Sequence, residues 1–319
     1  EVSRRESGNV EITFIDQNGV SQEITDFVSG GKLGGLLEFR DESVVKVFHA
    51  ARQDLEIFWV EAKVFPSLKA LKTFQNRLTE KNALRAAGIS TAEYHAVNSL
   101  TDIHNAIEKL GLPIIMKTTT EGYDGKGQFV LREPGDATAC WAEIGNRELI
   151  AEAFVPFIRE ISVIGTRSES GEIKVWPMTE NIHHEGILRY SLYPAHGFSA
   201  EKQAIAQNYI EQIAASLDYV GTITLELFET EDNLIANEVA PRVHNSGHWS
   251  IEGAITSQFR NHMLAVTGQD ITPTESRFPA VAMINVISDE GPTAAAKDMS
   301  ETYVHSYGKE ARPARNLAT

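Results

Sequence analysis

Glu226, Glu238, an arginine, two histidines and several small polar residues lie in the stretch from Glu226 to His248. In Thr222 to Phe228 every second residue from Ile223 is apolar, and Asn233-Leu-Ile-Ala-Asn-Glu238 follows an acidic turn, so the two segments read as a β-hairpin. With the hairpin centred at Asp232, Glu226 faces Glu238, and equal parity puts both carboxylates on one face of the sheet. Like charges at roughly 5 Å repel unless a cation lies between them. Such oxygen ligands suit magnesium, which takes one or two carboxylates and completes its shell with water and nucleotide phosphates. The run from Asn237 to Trp249 adds Arg242, His244, Asn245, Ser246 and His248, a set suited to phosphate and a small anion. Two solvated glutamates on an exposed sheet are the alternative, and the adjoining cluster argues against it.

A second candidate site begins at Lys117, which closes the apolar strand Leu112-Pro-Ile-Ile-Met116. The glycines Gly122, Gly125 and Gly127 follow, with Lys126 and Gln128 among them, so backbone amides can approach a phosphate while the lysines supply charge. A plain hairpin between Met116 and Phe129 is the competing reading. Upstream, Pro66-Ser67 opens a single helix expected to run to Ala87, with Gly88 as its stop. Arg77 and Lys81 stand one turn apart on it, and from the helix pattern alone they read as a solvated basic edge.

These residues need a scaffold, and the chain is long enough to build one. Its 319 residues predict two or three domains, and 42% hydrophobic and 23% charged residues are ordinary for a globular protein. A formal charge of -15 argues against a general nucleic-acid surface, and no apolar run approaches a membrane span. The lone Cys140 excludes an internal disulfide and fits a reducing cytosol. The pattern of a signal peptide is absent, and a first residue other than Met reads as a trimmed chain or fragment.

Element by element, Val10 to Ile15 and Val20 to Phe27 read as a hairpin around an Asn-Gly turn. Ser29-Gly-Gly-Lys-Leu-Gly34 reads as a flexible loop or as a glycine-rich phosphate turn entering a helix at Leu36. Further expectations are a capped helix from Thr101 to Gly111, strands at Glu148 to Val155, Glu160 to Thr166 and Ile173 to Met178, and a helix from Ser199 to Leu217. The class is α+β, without repeats.

The Gly122-Tyr-Asp-Gly-Lys-Gly-Gln128 loop combined with Asn237-Glu-Val-Ala-Pro-Arg-Val-His-Asn-Ser-Gly-His-Trp249 resembles the ATP-grasp ligases. More narrowly, the chain is similar to the N5-carboxyaminoimidazole ribonucleotide synthetases. Supporting stretches are Phe65-Pro-Ser67, Arg77-Leu-Thr-Glu-Lys81, Asn181-Ile-His-His-Glu-Gly-Ile-Leu-Arg189 and Gly308-Lys-Glu-Ala-Arg-Pro313. The resemblance implies an ATP-grasp fold, with two α+β lobes around an ATP cleft. The expected divisions are an N-terminal lobe with its connecting helix at 1–98, a lid at 99–165 and a catalytic and C-terminal part at 166–319. It further implies adenine against Glu152-Ala153-Phe154-Val155, ribose at Glu160, and phosphates at Arg77, Lys117 and the glycine loop. His183 and Asn237 join the nucleotide site, and Glu226 and Glu238 hold Mg2+. Arg242, His244 and Asn245 match the pocket for bicarbonate and carboxyphosphate. Tyr123, Asp124 and Lys126 meet aminoimidazole ribonucleotide, whose phosphate falls to Lys309, Arg312 and Arg315. Asp124 is the candidate base and His244 its competitor. A cytoplasmic homodimer is the usual form of the family.

The chain departs from the family at both ends. Only thirty residues separate Gly34 from Phe65, too few for two βαβ units, so the Rossmann-like N-terminal lobe is expected to be shortened or rearranged. Ala314 and Asn316 stand where the family has glycine and lysine. Rival readings are another ATP-grasp ligase, such as the formate-dependent glycinamide ribonucleotide transformylase, or an inactive nucleotide-binding fragment or partner subunit. Tyr123-Asp124 argues against the transformylase. His183 and His184 read as a substrate-facing loop rather than turn histidines, and Trp249 as core.

Overall fold

Serine and asparagine side chains set the helix starts. Ser67, Ser99, Ser199 and Ser257 each accept a backbone amide from the first turn of the helix that follows. Asn76 does the same for Leu78 and Thr79, which divides the single helix expected over Ser67 to Ala87 into α1 (Leu68–Phe74) and α2 (Arg77–Ala86). An asparagine side chain that captures two amides offers the backbone a better partner than continued helix.

A computed structural model describes residues 64–120, 127–287 and 298–307 fully; elsewhere it describes only the backbone of short strands. The chain divides into units Glu1–Val64 and Phe65–Thr319. The first contains β1 (Val2–Arg4), β2 (Val10–Ile15), β3 (Ser21–Asp26), β4 (Val28–Ser29), β5 (Lys32–Leu33) and β6 (Lys46–Val47). Ile15 pairs with Ser21 and Val10 with Asp26, so the expected hairpin forms, and β1 adds a third strand. The helix expected at Leu36 lies outside the described residues.

After β7 (Val64–Phe65), the second unit builds its first sheet from β8 (Tyr94–Val97), β9 (Ile114–Thr118), β10 (Gln128–Leu131) and β11 (Leu149–Ala153), in the order β10-β9-β11-β8. Helices α3 (Leu100–Leu110) and α4 (Asp136–Ile144) cover it, burying Ile103, Ala106, Cys140 and Ile144 against Ile114, Met116 and Leu149.

The larger sheet holds β12 (Arg159–Arg167), β13 (Ile173–Val175), β14 (Thr179–His184), β15 (Ile187–Tyr193), β16 (Gly221–Glu229), β17 (Leu234–Ala240) and β18 (Val281–Ile284). Its order is β17-β16-β12-β14-β15-β18, with β13 beside β12. Helix α5 (Ala200–Ser216) fills one face with Ile210 and Ile213, against Ile161, Val163, Ile223 and Leu225. Phe74 and Leu84 of α1 and α2 join this core. Short α6 (Ser250–Gly253) and α7 (Gln258–Val266) follow β17, and β19 (Val286–Ile287) pairs with β20 (Asn316–Ala318). Trp249 is 4% exposed and stacks on Tyr193 at 5.5 Å between ring centres, a core residue as expected.

Two further expectations change. His183 and His184, read as a substrate-facing loop, are paired residues at the end of β14, in a hairpin with β15 that turns at Glu185 and Gly186, both at positive φ. The β16/β17 ladder is not centred on Asp232 throughout. Glu229 pairs with Leu234 and Leu227 with Ala236, a register half a residue short of that centre. A β-bulge then shifts the ladder so that Glu226 does pair with Glu238.

Candidate functional site

Strand parity turns Ile223, Leu225 and Leu227 into the α5 core, so Glu226 emerges on the opposite, open face with Glu238 beside it. Ser162 of β12 is the neighbour of Glu226 on its other flank, and Glu160 lies two residues along the same strand face. The two carboxylates differ in their surroundings. Burial opposes ionisation of Glu226, but the hydrogen bond from His244 and the charges of His183 and Arg242 outweigh it and hold its carboxyl below the usual value. Burial in the cleft, then the charge of Glu226, raise Glu238 above its usual value. Because Glu238 retains an exposed side, we assign the larger part of that rise to Glu226. A facing pair in which one acid resists ionisation is a donor set that a divalent cation would relieve. Among the described residues no three His, Cys, Asp or Glu gather around one point. The facing carboxylates are hard oxygen donors, and that chemistry fits magnesium, which accepts few protein carboxylates.

His244 is fixed from three sides. Its Nε2 lies 3.0 Å from Glu226 Oε1, and its Nδ1 lies 2.8 Å from Ser246 Oγ. The Ser246 amide also donates to Nδ1, so the ring proton sits on Nε2 and is given to Glu226. Gln258 brackets the His244 backbone, accepting from its N–H at 2.9 Å and donating to its carbonyl at 2.6 Å. Gly247 lets Gln258 come this close, since a Cβ there would lie 2.6 Å from Gln258 Oε1. Next to it, Asn245 presents a buried Oδ1 without a hydrogen-bond partner among the described residues, while Arg242 is exposed and donates to the Val243 carbonyl.

Helix α2 lines the other side of the site. Arg77 Nη1 donates to the Thr118 carbonyl at 2.7 Å. Lys81, 1% exposed, donates to the carbonyls of Asn237 at 2.7 Å and Ala236 at 3.3 Å, and lies 3.6 Å from Glu152. Lys117 approaches the same Glu152 oxygen at 3.0 Å. These contacts exclude the solvated-edge reading of Arg77 and Lys81. Burial lowers Lys81, and burial opposes but does not overcome the pull of Lys117 and Lys81 that holds Glu152 low.

Glu80, 3% exposed, is pushed up to about 8, by burial first. An acid raised in the fold stabilises it at low pH, and this contribution is lost as pH climbs from 4.5 towards 8. Unfolding free energies of Glu80→Gln in urea are expected to fall less steeply than the parent's from about pH 5 to about pH 8. Parallel slopes would contradict this.

Glu160 and His183 meet at 3.1 Å, so the expected ribose carboxylate and its neighbouring histidine are joined. Burial disfavours the imidazolium, yet the hydrogen bond and charge of Glu160 raise His183 above its usual value. Ala153, Phe154 and Val155 lead out of β11, with Ala153 N–H donating to the Glu93 carbonyl and Phe154 49% exposed. The β9/β10 ladder pairs Met116 with Phe129 and Lys117 with Gln128, so the hairpin and the glycine loop are one feature. Gly127, at φ 70°, sits where a Cβ would lie 3.0 Å from Thr118 Oγ1. Gly122, Tyr123, Asp124, Gly125, Lys126, Lys309, Arg312 and Arg315 lie outside the described residues.

Glu80 and Gln258 have no part in the site on the sequence reading alone. Glu80 carried one signal, its place between Arg77 and Lys81 on one helix flank; Gln258 carried none, because its partner is fourteen residues away in sequence.

Residues 82–259 match the ATP-grasp domain model, and residues 281–318 match the phosphoribosylaminoimidazole carboxylase C-terminal domain. The chain is 36% identical over 318 residues to N5-carboxyaminoimidazole ribonucleotide synthase of Vibrio parahaemolyticus, covering 97% of this chain and 83% of that protein. The crystal structure of N5-carboxyaminoimidazole ribonucleotide synthetase from Thermus thermophilus matches with a TM-score of 0.76 at 41% identity, covering 81% of this chain and 69% of that one. The Aspergillus clavatus enzyme, in complex with ADP and 5-aminoimidazole ribonucleotide, matches at 0.75 and 29%, covering 81% and 70%.

Proposed function

The chain belongs to the N5-carboxyaminoimidazole ribonucleotide synthase family of ATP-grasp proteins, and from that membership we propose that it carboxylates 5-aminoimidazole ribonucleotide with bicarbonate and ATP. The observation that carries the reading is the pairing of Glu226 with Glu238 on an open sheet face, with Lys117, Arg77 and His244 around it. Glu226 and Glu238 would hold magnesium, whose chemistry when bound is to neutralise phosphoryl oxygens. We further assign 99–165 as the lid and 166–319 as the catalytic part, with 1–98 as the N-terminal lobe. A cytoplasmic homodimer belongs to the same proposal.

Bicarbonate is a poor electrophile. In the proposed first step one of its oxygens attacks the γ-phosphorus, ADP leaves, and carboxyphosphate forms; Lys117 and Arg77 offset the charge on the phosphoryl oxygens. Arg242 and Asn245 orient the anion. The glycine loop excludes water while carboxyphosphate divides into carbon dioxide and phosphate. The exocyclic amine of the ribonucleotide then attacks carbon dioxide at high effective concentration, forming the C–N bond. Its proton passes to Asp124. His244 is less available to take it because both ring nitrogens are already engaged. The ribonucleotide phosphate is assigned to Lys309, Arg312 and Arg315, and adenine to 152–155.

With 18O-bicarbonate, the released phosphate should carry one labelled oxygen, and unlabelled phosphate would refute carboxyphosphate. Asp124→Asn should keep magnesium-ATP binding and lose about a hundredfold or more in carboxylated product. Unchanged product formation would remove Asp124 from the mechanism.

A further inference from the structure

The position of Glu238 depends on a break in the ladder. From Glu229↔Leu234 to Leu227↔Ala236 the strands β16 and β17 pair regularly. Continued in that register, Asn237 would stand opposite Glu226, and Glu238 would turn to the other face of the sheet. One extra residue at Asn237 corrects this and sets Glu238 opposite Glu226. A bulge takes backbone groups out of the ladder, and buried ones require other partners.

Helix α2 supplies those partners. The Lys81 ammonium donates to the carbonyls of both Asn237, the bulged residue, and Ala236 before it. The preceding side chain, Glu80, is buried beside Val239, on the far side of Glu238. On the outer edge, the Ala236 amide donates to the Ser90 carbonyl at 2.7 Å. The same ammonium lies 3.6 Å from Glu152, which also pairs with Lys117. With its head group turned to two carbonyls and a carboxylate and its side chain 1% exposed, Lys81 serves the backbone rather than a nucleotide.

We propose that Lys81 is a positioning residue for the cation-binding carboxylates: its buried ammonium holds the Asn237 bulge and thereby keeps Glu238 opposite Glu226. The inference rests on reading that pair as a divalent-cation site. It makes a prediction of unusual sign. Deleting a positive charge beside a cation site strengthens cation binding if the ligands stay in place. Deleting one that holds a ligand in place weakens it.

The test is a Mn2+ titration of the full chain with ADP, followed by electron paramagnetic resonance. Lys81→Met is expected to weaken Mn2+ binding about tenfold or more, as loss of a residue supporting a metal ligand does. Lys81→Gln, which keeps an N–H donor for the carbonyls, should lose less, and it provides the second variant should Lys81→Met not fold. Equal or tighter Mn2+ binding by a folded Lys81 variant would overturn the proposal. A purely stabilising role for Lys81 would lower the melting temperature and leave the Mn2+ affinity of the folded protein unchanged. Glu238→Gln tests the cation site by itself: if Mn2+ binding is insensitive to it, the cation site is refuted and the role of Lys81 falls with it.

Discussion

Glu238→Gln should lower the rate of carboxylated product formation by at least about a hundredfold, since losing a direct cation ligand costs more than losing a supporting residue. The same change should leave the fold intact, and it should stabilise the protein at alkaline pH. Glu238 is raised by burial and by the charge of Glu226, so neutralising it removes a repulsion present in the folded state. Activity and stability thus move in opposite directions, as they do where a site holds groups in tension for function. Parallel measurement of turnover and of the urea midpoint checks this. A variant that keeps near-parental turnover would show that Glu238 is not a ligand.

Glu152→Ala should produce the largest loss of stability, about 3–5 kcal/mol. Glu152 is the shared partner of Lys81 and Lys117, at 3.6 and 3.0 Å, and its side chain is 5% exposed. Removing it leaves the buried Lys81 and the part-buried Lys117 facing each other without their shared counter-charge, which is costlier than losing an exposed pair. Glu152→Gln keeps the shape but not the charge and should fall between parent and alanine variant. Urea denaturation at neutral pH measures the difference. A loss below about 1 kcal/mol would mean that the trio behaves like a solvated surface pair.

How much of this was legible in the sequence depended on whether the cause was local. Alternating apolar residues in Thr222 to Phe228 gave the strand and the face, while the pairing of Glu226 with Glu238 followed from a centre at Asp232 that only the part beyond the bulge adopts. The bulge that achieves that pairing was not legible, because its cause, Lys81, lies 156 residues from Asn237 in the chain. The break at Asn76 was legible in principle, since asparagine before Arg77-Leu-Thr-Glu is an N-cap signal, but continuous apolar spacing concealed it. The spacing of Arg77 and Lys81 showed that they share a flank without showing what the flank faces. Its neighbours are the Thr118 carbonyl and β17, contributed by other parts of the fold. The β14/β15 hairpin was missed because two histidines and a Glu-Gly turn interrupt its alternation. Lys117 shows the reverse case: its strand, its loop and its neighbour Gln128 all lie within twelve residues.

The most direct test of the whole reading is ADP release by the full chain with magnesium-ATP, each candidate co-substrate being omitted in turn. The account predicts release that requires both bicarbonate and 5-aminoimidazole ribonucleotide and is not supported by formate. Tight magnesium-ATP binding without turnover, or release that depends on formate, would contradict it.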